Sequence, residues 1–324
     1  MNYKNIVVAG AGVLGSQIAF QTAYCGFNVT VLVREEDDKT AIKKRFKKLL
    51  DTYISTIELM GSKVAKTSDV WAFGISSPED FNKRLCIKNA KKAFENIIIE
   101  TNSEKALCDA DLLIESITED IKIKNAFYEG IKDILPEQTV IVTNSSTLLP
   151  SKMAKSTGRE DKFLALHFAN SIWKNNISEI MAQSKTDEKY LVELDSFAKA
   201  IKMVPLVAKE EKSGYILNSM LVPFLLSAMD LLANGVSDVE TIDKAWELGT
   251  GAPHGPFRIL DVVGLETARY IVTQYQKVPD IFDPLFKKMM LPYNYDGMLE
   301  ILDKMMAEGK TGKAAGEGFY KYKK

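Results

Sequence analysis

Short apolar runs alternate with longer amphipathic stretches through the first two thirds of the chain. Ile6-Val7-Val8 is a continuous apolar run ending near Gly10, which predicts a strand, and residues 16–24 read as the helix behind it. Residues 26–34 give the next strand. Two charged amphipathic stretches follow at about 39–59 and 79–94. Further strand candidates lie at 97–100, 112–117, 139–143 and 163–167, with a helix near 121–135 between two of them. This βαβ rhythm predicts an α/β fold with a doubly wound parallel sheet. The rhythm stops at Lys209-Glu210-Glu211-Lys212-Ser213, which sets the expected boundary: a domain over 1–210 with a helical insertion at about 39–95, and a helical domain over 211–324. In the second part, residues 215–234 read as a helix. Ser237-Asp238-Val239-Glu240 is a capping box opening another. A turn cluster follows at Gly249, Gly251, Pro253, Gly255 and Pro256, and further helices run to Glu308. Residues 214–232 are apolar, but Asn218, Ser219, Pro223, Ser227 and Asp230 argue for a buried helix rather than a membrane span.

The first strand carries the strongest chemical signal, Gly10-Ala11-Gly12-Val13-Leu14-Gly15. Gly10 lets the chain turn, Gly12 lets the backbone approach a pyrophosphate, and Gly15 lets the helix pack on the strand. Val13 and Leu14 lie at the helix's free N–H end, where the positive dipole faces the phosphates. Strand before and helix after satisfy the context that this motif requires for a dinucleotide site. At the end of the second strand an NAD-type site places Asp or Glu on the ribose hydroxyls. Val33 occupies that place here and Arg34 follows, which favours NADP(H) over NAD(H). Glu35-Glu36-Asp37-Asp38 opposes a 2′-phosphate, so the cofactor is written NAD(P)(H).

Composition narrows the classes. The net charge of −1 over 324 residues points to neither nucleic acid nor a membrane surface. Three scattered cysteines, Cys25, Cys86 and Cys108, fit free thiols in a reducing, cytoplasmic setting. The first strand begins too early for a signal peptide to precede it. No metal site is expected. Among candidate acid–base groups there are two histidines. His167 ends the apolar run Phe163-Leu164-Ala165-Leu166, whereas His254 lies in the rigid turn Ala252-Pro253-His254-Gly255-Pro256. On local sequence, His167 is either catalytic or a satisfied core histidine. Glu179 sits between apolar neighbours in Ile177-Ser178-Glu179-Ile180-Met181, and a buried Glu is costly unless paired. Pairing with His167 would satisfy both and fix the imidazole tautomer.

These residues, in order, resemble the short-chain L-3-hydroxyacyl-CoA dehydrogenase family, with 3-hydroxybutyryl-CoA dehydrogenase the nearest type. The resemblance runs through Gly10–Gly15, Asp111-Leu112-Leu113-Ile114-Glu115-Ser116, Ile121-Lys122-Ile123-Lys124-Asn125 and Asn144-Ser145-Ser146-Thr147-Leu148. It continues through His167-Phe168, Ser178-Glu179-Ile180, Ser213-Gly214-Tyr215-Ile216-Leu217-Asn218, Gly255-Pro256-Phe257, Asp261-Val262-Val263-Gly264-Leu265 and Gly316-Glu317-Gly318-Phe319-Tyr320. It implies a Rossmann-like domain, an all-helical dimerisation domain, a homodimer and an acyl-CoA substrate. It also implies His167 as catalytic acid–base, Glu179 as its orienting carboxylate, and Ser146 and Asn218 as polar groups on the substrate oxygen and nicotinamide. Glu119, Lys124 and Asn170 match further cofactor contacts.

Departures from the family pattern put the substrate in question. Phe168-Ala169-Asn170-Ser171 replaces a usual Phe-Phe-Asn-Pro, and a small Ala169 with a mobile Ser171 would enlarge or reshape the acyl pocket. Ala314-Ala315-Gly316 replaces a Lys-Thr-Gly and removes a cofactor contact. The insertion is longer by about two to three helical turns. Its Lys43, Lys44, Arg45, Lys47 and Lys48 read equally as a CoA-phosphate site or a solvated face. Dehydrogenation of a CoA-free hydroxy acid of the L-gulonate or L-carnitine type is the alternative, followed by a non-catalytic dinucleotide-binding protein.

Overall fold

Ile6, Val7 and Val8 do form a strand, and the runs that follow build one sheet around it. The computed structural model describes residues 3–62, 71–276 and 293–322, in two units, Met1–Ile216 and Leu217–Lys324. The strands of the first unit are β1 (Asn5–Ala9), β2 (Asn28–Leu32), β3 (Ile98–Glu100), β4 (Leu112–Glu115), β5 (Val140–Thr143), β6 (Phe163–Phe168), β7 (Ile177–Met181) and β8 (Val204–Ala208). They make a single sheet in the order β3-β2-β1-β4-β5-β6-β7-β8. The first six follow the Rossmann order. Central strands β4 and β5 are buried along their whole length, as an apolar run covered on both faces should be.

The sheet departs from the all-parallel expectation at one place. β6 and β7 are antiparallel, while every other neighbouring pair is parallel. The connection between them is too short for a crossover helix, so the chain reverses through Ser171, whose φ is +59°. β8 is an edge strand that the apolar pattern did not announce. Pro205 breaks the strand signature of Val204-Pro205-Leu206-Val207-Ala208, and an edge is where a sheet tolerates proline.

Helices cover both faces. Helix α1 (Val13–Tyr24) starts directly after the glycine turn, three residues earlier than the apolar pattern indicates. The insertion holds α2 (Lys39–Met60), capped by the Asp38 side chain, and α3 (Lys83–Asn96), capped by Asn82. The short α4 (Ser103–Leu107), α5 (Ile121–Ile131) and α6 (Glu188–Ala200) complete the unit.

In the second unit the described helices are α7 (Leu217–Ala233), α8 (Val239–Thr250), α9 (Pro256–Val263), α10 (Leu265–Gln276) and α11 (Tyr295–Ala307). They close on Leu225, Met229, Phe257, Leu260, Met298 and Leu302. Among the described residues no helix is long and apolar enough to cross a membrane. The cap of α8 is Asp238, accepting from the Thr241 amide, rather than the Ser237 of the expected capping box. Buried Asp261 pins the chain end, accepting from the Phe319 and Tyr320 amides and the Tyr322 hydroxyl. A side chain at Gly318 would collide with that carboxylate, which explains the glycine there.

Candidate active site

The glycine turn is shaped as its residues require. Gly10 has φ +103°, and a Cβ there would run into the Ser116 carbonyl just past the end of β4. A Cβ on Gly15 would meet the Gly10 carbonyl. One on Gly12 meets nothing within 4 Å, so the approach to that backbone is open. Gly12 caps α1 without a side chain, and the first helical bond is Ser16 N–H to its carbonyl. The amides of Val13, Leu14 and Gly15 therefore have no helical acceptor, and Val13 is 67% exposed. Free donors at an openly approached helix start fit a pyrophosphate.

At the adenosine end Val33, at the position expected to carry the ribose carboxylate, is buried, and Arg34 is the first exposed side chain beyond β2. The Arg34 guanidinium is paired with Asp37 at 2.9 Å and Glu36 at 3.2 Å. The acidic run thus answers the arginine within the chain. The basic residues of α2 lie on its exposed side; Lys47 pairs with Asp51, and Arg45 donates to the Ala11 carbonyl in the glycine turn.

The antiparallel β6–β7 register builds the centre. His167 stands directly opposite Glu179, and His167 Nδ1 lies 2.9 Å from Glu179 Oε2. Both are buried, at 5% and 1% exposure. With the carboxylate on Nδ1, the imidazole carries its proton there and turns the Nε2 lone pair toward Ser146, whose Oγ is 3.1 Å away. The other carboxylate oxygen of Glu179 accepts the Ile216 amide at 2.9 Å.

Ser146 is held by a clamp on the loop after β5. Glu119 Oε1 accepts from the amides of Ser146 and Thr147, both at 3.0 Å, and from the hydroxyls of Ser145 and Thr147. Burial works to raise the Glu119 carboxyl, but the Ser145 hydroxyl, the Lys124 ammonium and the Thr147 donors outweigh it and hold it below the usual carboxylate range. Lys124 is 1% exposed, lying 2.5 Å from Glu115 and 3.5 Å from Glu119. Its ammonium serves these two carboxylates, and this places it beneath Glu119 rather than at an open surface. Glu115 is completed by the Tyr128 and Thr143 hydroxyls at 2.8 Å each.

Asn170 follows β6 as an exposed residue, and Asn218 opens α7 in the second unit. At this centre one further side chain had no role in the sequence reading. Tyr215, at φ +51° beside Gly214, stacks on the His167 ring with centroids 4.7 Å apart and planes at 19°. Burial, with the Glu119 and Glu179 carboxylates, raises its phenol far above the ordinary value, so it stays protonated. The only signal was its place in the Ser213–Asn218 motif, since no pattern links residue 215 to residue 167.

Fold and centre together define a nicotinamide-dependent oxidoreductase of CH–OH groups. The model described as 3-hydroxyacyl-CoA dehydrogenase, NAD binding domain, matches residues 5–211, and that described as its C-terminal domain matches residues 214–322. The chain belongs to the 3-hydroxyacyl-CoA dehydrogenase family. It is 32% identical over 320 residues to the mitochondrial hydroxyacyl-coenzyme A dehydrogenase of Homo sapiens, covering 99% of this chain and 91% of that one. It is 29% identical over 320 residues to a 3-hydroxybutyryl-CoA dehydrogenase of Mycobacterium tuberculosis, covering 98% of each. A solved diketoreductase, described for substrate-directed dual catalysis of dicarbonyl compounds, is 41% identical, with a TM-score of 0.81 and coverage of 99% of this chain and 100% of that one.

Proposed function

We propose that the protein transfers hydride between a nicotinamide cofactor and C3 of a 3-hydroxyacyl-CoA of the 3-hydroxybutyryl type, with His167 as acid–base. The observation that carries this is the cross-strand pair: Glu179 holds Nδ1 and leaves Nε2 free to exchange a proton 3.1 Å from the Ser146 hydroxyl. The glycine turn would hold the pyrophosphate of a nicotinamide dinucleotide, which would supply or accept the hydride. In oxidation, Nε2 takes the 3-hydroxyl proton as hydride leaves C3, and Glu179 balances the imidazolium that forms. In reduction, Nε2 returns that proton to the oxygen, and the Ser146 hydroxyl donates to it as charge develops. The Tyr215 ring keeps the imidazole plane in place. Asn218 is proposed as a second donor to the substrate oxygen, and Glu119 and Asn170 as cofactor contacts, with Lys124 acting through Glu119.

Arg34 favours NADP(H), while its Asp37 and Glu36 partners oppose a 2′-phosphate; the balance is read by running NADPH and NADH in parallel. Exposed apolar side chains in the helical unit, among them Leu248 and Val262, support the homodimer. The free thiols support a reducing setting, for which the cytoplasm is proposed.

A second function is favoured by the diketoreductase likeness and by Ala169 in place of a second aromatic: reduction of a CoA-free oxo compound by the same centre. Reduction of acetoacetyl-CoA and of ethyl 3-oxobutanoate, followed by loss of reduced nicotinamide, separates the two. Turnover of the thioester supports the CoA reaction, and turnover of the ester alone moves the assignment to a CoA-free substrate. Cofactor binding with turnover of neither would leave a dinucleotide-binding protein.

A further inference from the structure

The turn after His167 is held by the helix that carries the glycine motif. Gln17 of α1 is buried, and its Oε1 accepts the Ser171 amide at 2.7 Å and the Ile172 amide at 3.4 Å. Ser171 sits at φ +59°, a conformation closed to proline, which has φ fixed near −65° and no amide hydrogen to donate. The proline that the family resemblance would place here is therefore excluded, and Ser171 is anchored rather than mobile. The far side is fixed as well. Trp173 packs on Tyr53 with ring centroids 5.5 Å apart, and its carbonyl accepts the Gly74 amide at 3.0 Å. A Cβ on Gly74 would crowd the Trp173 backbone at 2.8 Å, so the two segments are in close contact.

Ala169, half-buried, is the first residue past β6 and two residues on from His167, about 7 Å away along an extended chain. The anchored turn at Ser171 follows Ala169 directly in the chain. We infer that Gln17 is a positioning residue for substrate selectivity: it fixes the turn at Ser171 as a wall that restricts the protein to 3-oxo compounds with a short substituent on the reacting carbon. The inference rests on His167 being the acid–base.

The test compares 3-oxobutanoyl and 3-oxodecanoyl substrates, each as CoA thioester and ethyl ester, with dinucleotide binding followed separately by quenching of tryptophan fluorescence. The unmodified protein should prefer the short chain. Ser171→Pro and Gln17→Ala should each erode that preference by about tenfold, with cofactor affinity held within about twofold in Gln17→Ala. Ser171→Gly, which keeps the amide and accepts positive φ, and Gln17→Glu, which keeps the acceptor, should retain it. An unchanged chain-length ratio in Ser171→Pro and Gln17→Ala, a loss of cofactor binding in step with activity in Gln17→Ala, or a wild-type preference for the long chain overturns the inference while leaving the reaction standing. No turnover of any of the four compounds removes the proposed reaction and the inference together.

Discussion

Replacing Glu179 by glutamine keeps the side-chain shape and removes the charge. The carboxylate faces two N–H donors, His167 Nδ1 and the Ile216 amide, each at 2.9 Å. A glutamine has one acceptor oxygen, so its NH2 must confront one donor, and a buried donor left unpaired costs about 1–3 kcal/mol of stability. The catalytic effect is separate. The imidazolium formed on proton uptake loses a charge-assisted partner worth about 1.5–3 kcal/mol, and at about 1.4 kcal/mol per decade this predicts a rate about 10- to 150-fold lower. The assay is steady-state turnover in both directions by nicotinamide absorbance, with cofactor affinity measured by fluorescence. Glu179→Gln should lose kcat and keep cofactor affinity within about twofold. Wild-type kcat in a folded variant would refute the assignment of Glu179 as the group that balances the imidazolium.

The glycine turn predicts a contrast. Gly12→Ala, whose Cβ enters open space, should unfold at the wild-type temperature yet bind nicotinamide on the order of tenfold more weakly. Gly10→Ala, at φ +103° and against the Ser116 carbonyl, should lose about 1–3 kcal/mol in denaturant unfolding. Lys124→Met leaves Glu115 buried without its cation and should cost about 3–5 kcal/mol by thermal or denaturant unfolding, a measurement that needs no substrate. Glu119 has a lowered folded pKa, so its stabilisation of the Ser145–Thr147 loop is fully present above the unfolded carboxylate value of about 4.3 and fades as pH falls through the lower folded value. Glu119→Gln should flatten that acid limb of the pH–stability curve.

Much of the frame was legible in the sequence because apolar runs and glycines are local signals. β1, the glycine turn and α1 follow from residues 4–24, and β4 and β5 from uninterrupted apolar runs. The antiparallel turn at β6–β7 was not legible, since nothing in Asn170-Ser171-Ile172 announces a positive φ at a serine. That turn is what sets His167 against Glu179, so the pair could be suspected from the cost of a buried carboxylate and not located. Tyr215 and Gln17 act through contacts with residues 48 and 154 positions away, respectively, beyond any local pattern.

The central claim is that His167 moves the proton at the reacting oxygen. The most direct measurement is turnover of His167→Gln on a substrate that the unmodified protein reduces, with nicotinamide affinity measured on the same sample. A drop in kcat of about 10²-fold or more, with cofactor binding retained, is the predicted result. Turnover near the unmodified rate would contradict it, and loss of the fold with loss of cofactor binding would make His167 a core histidine instead.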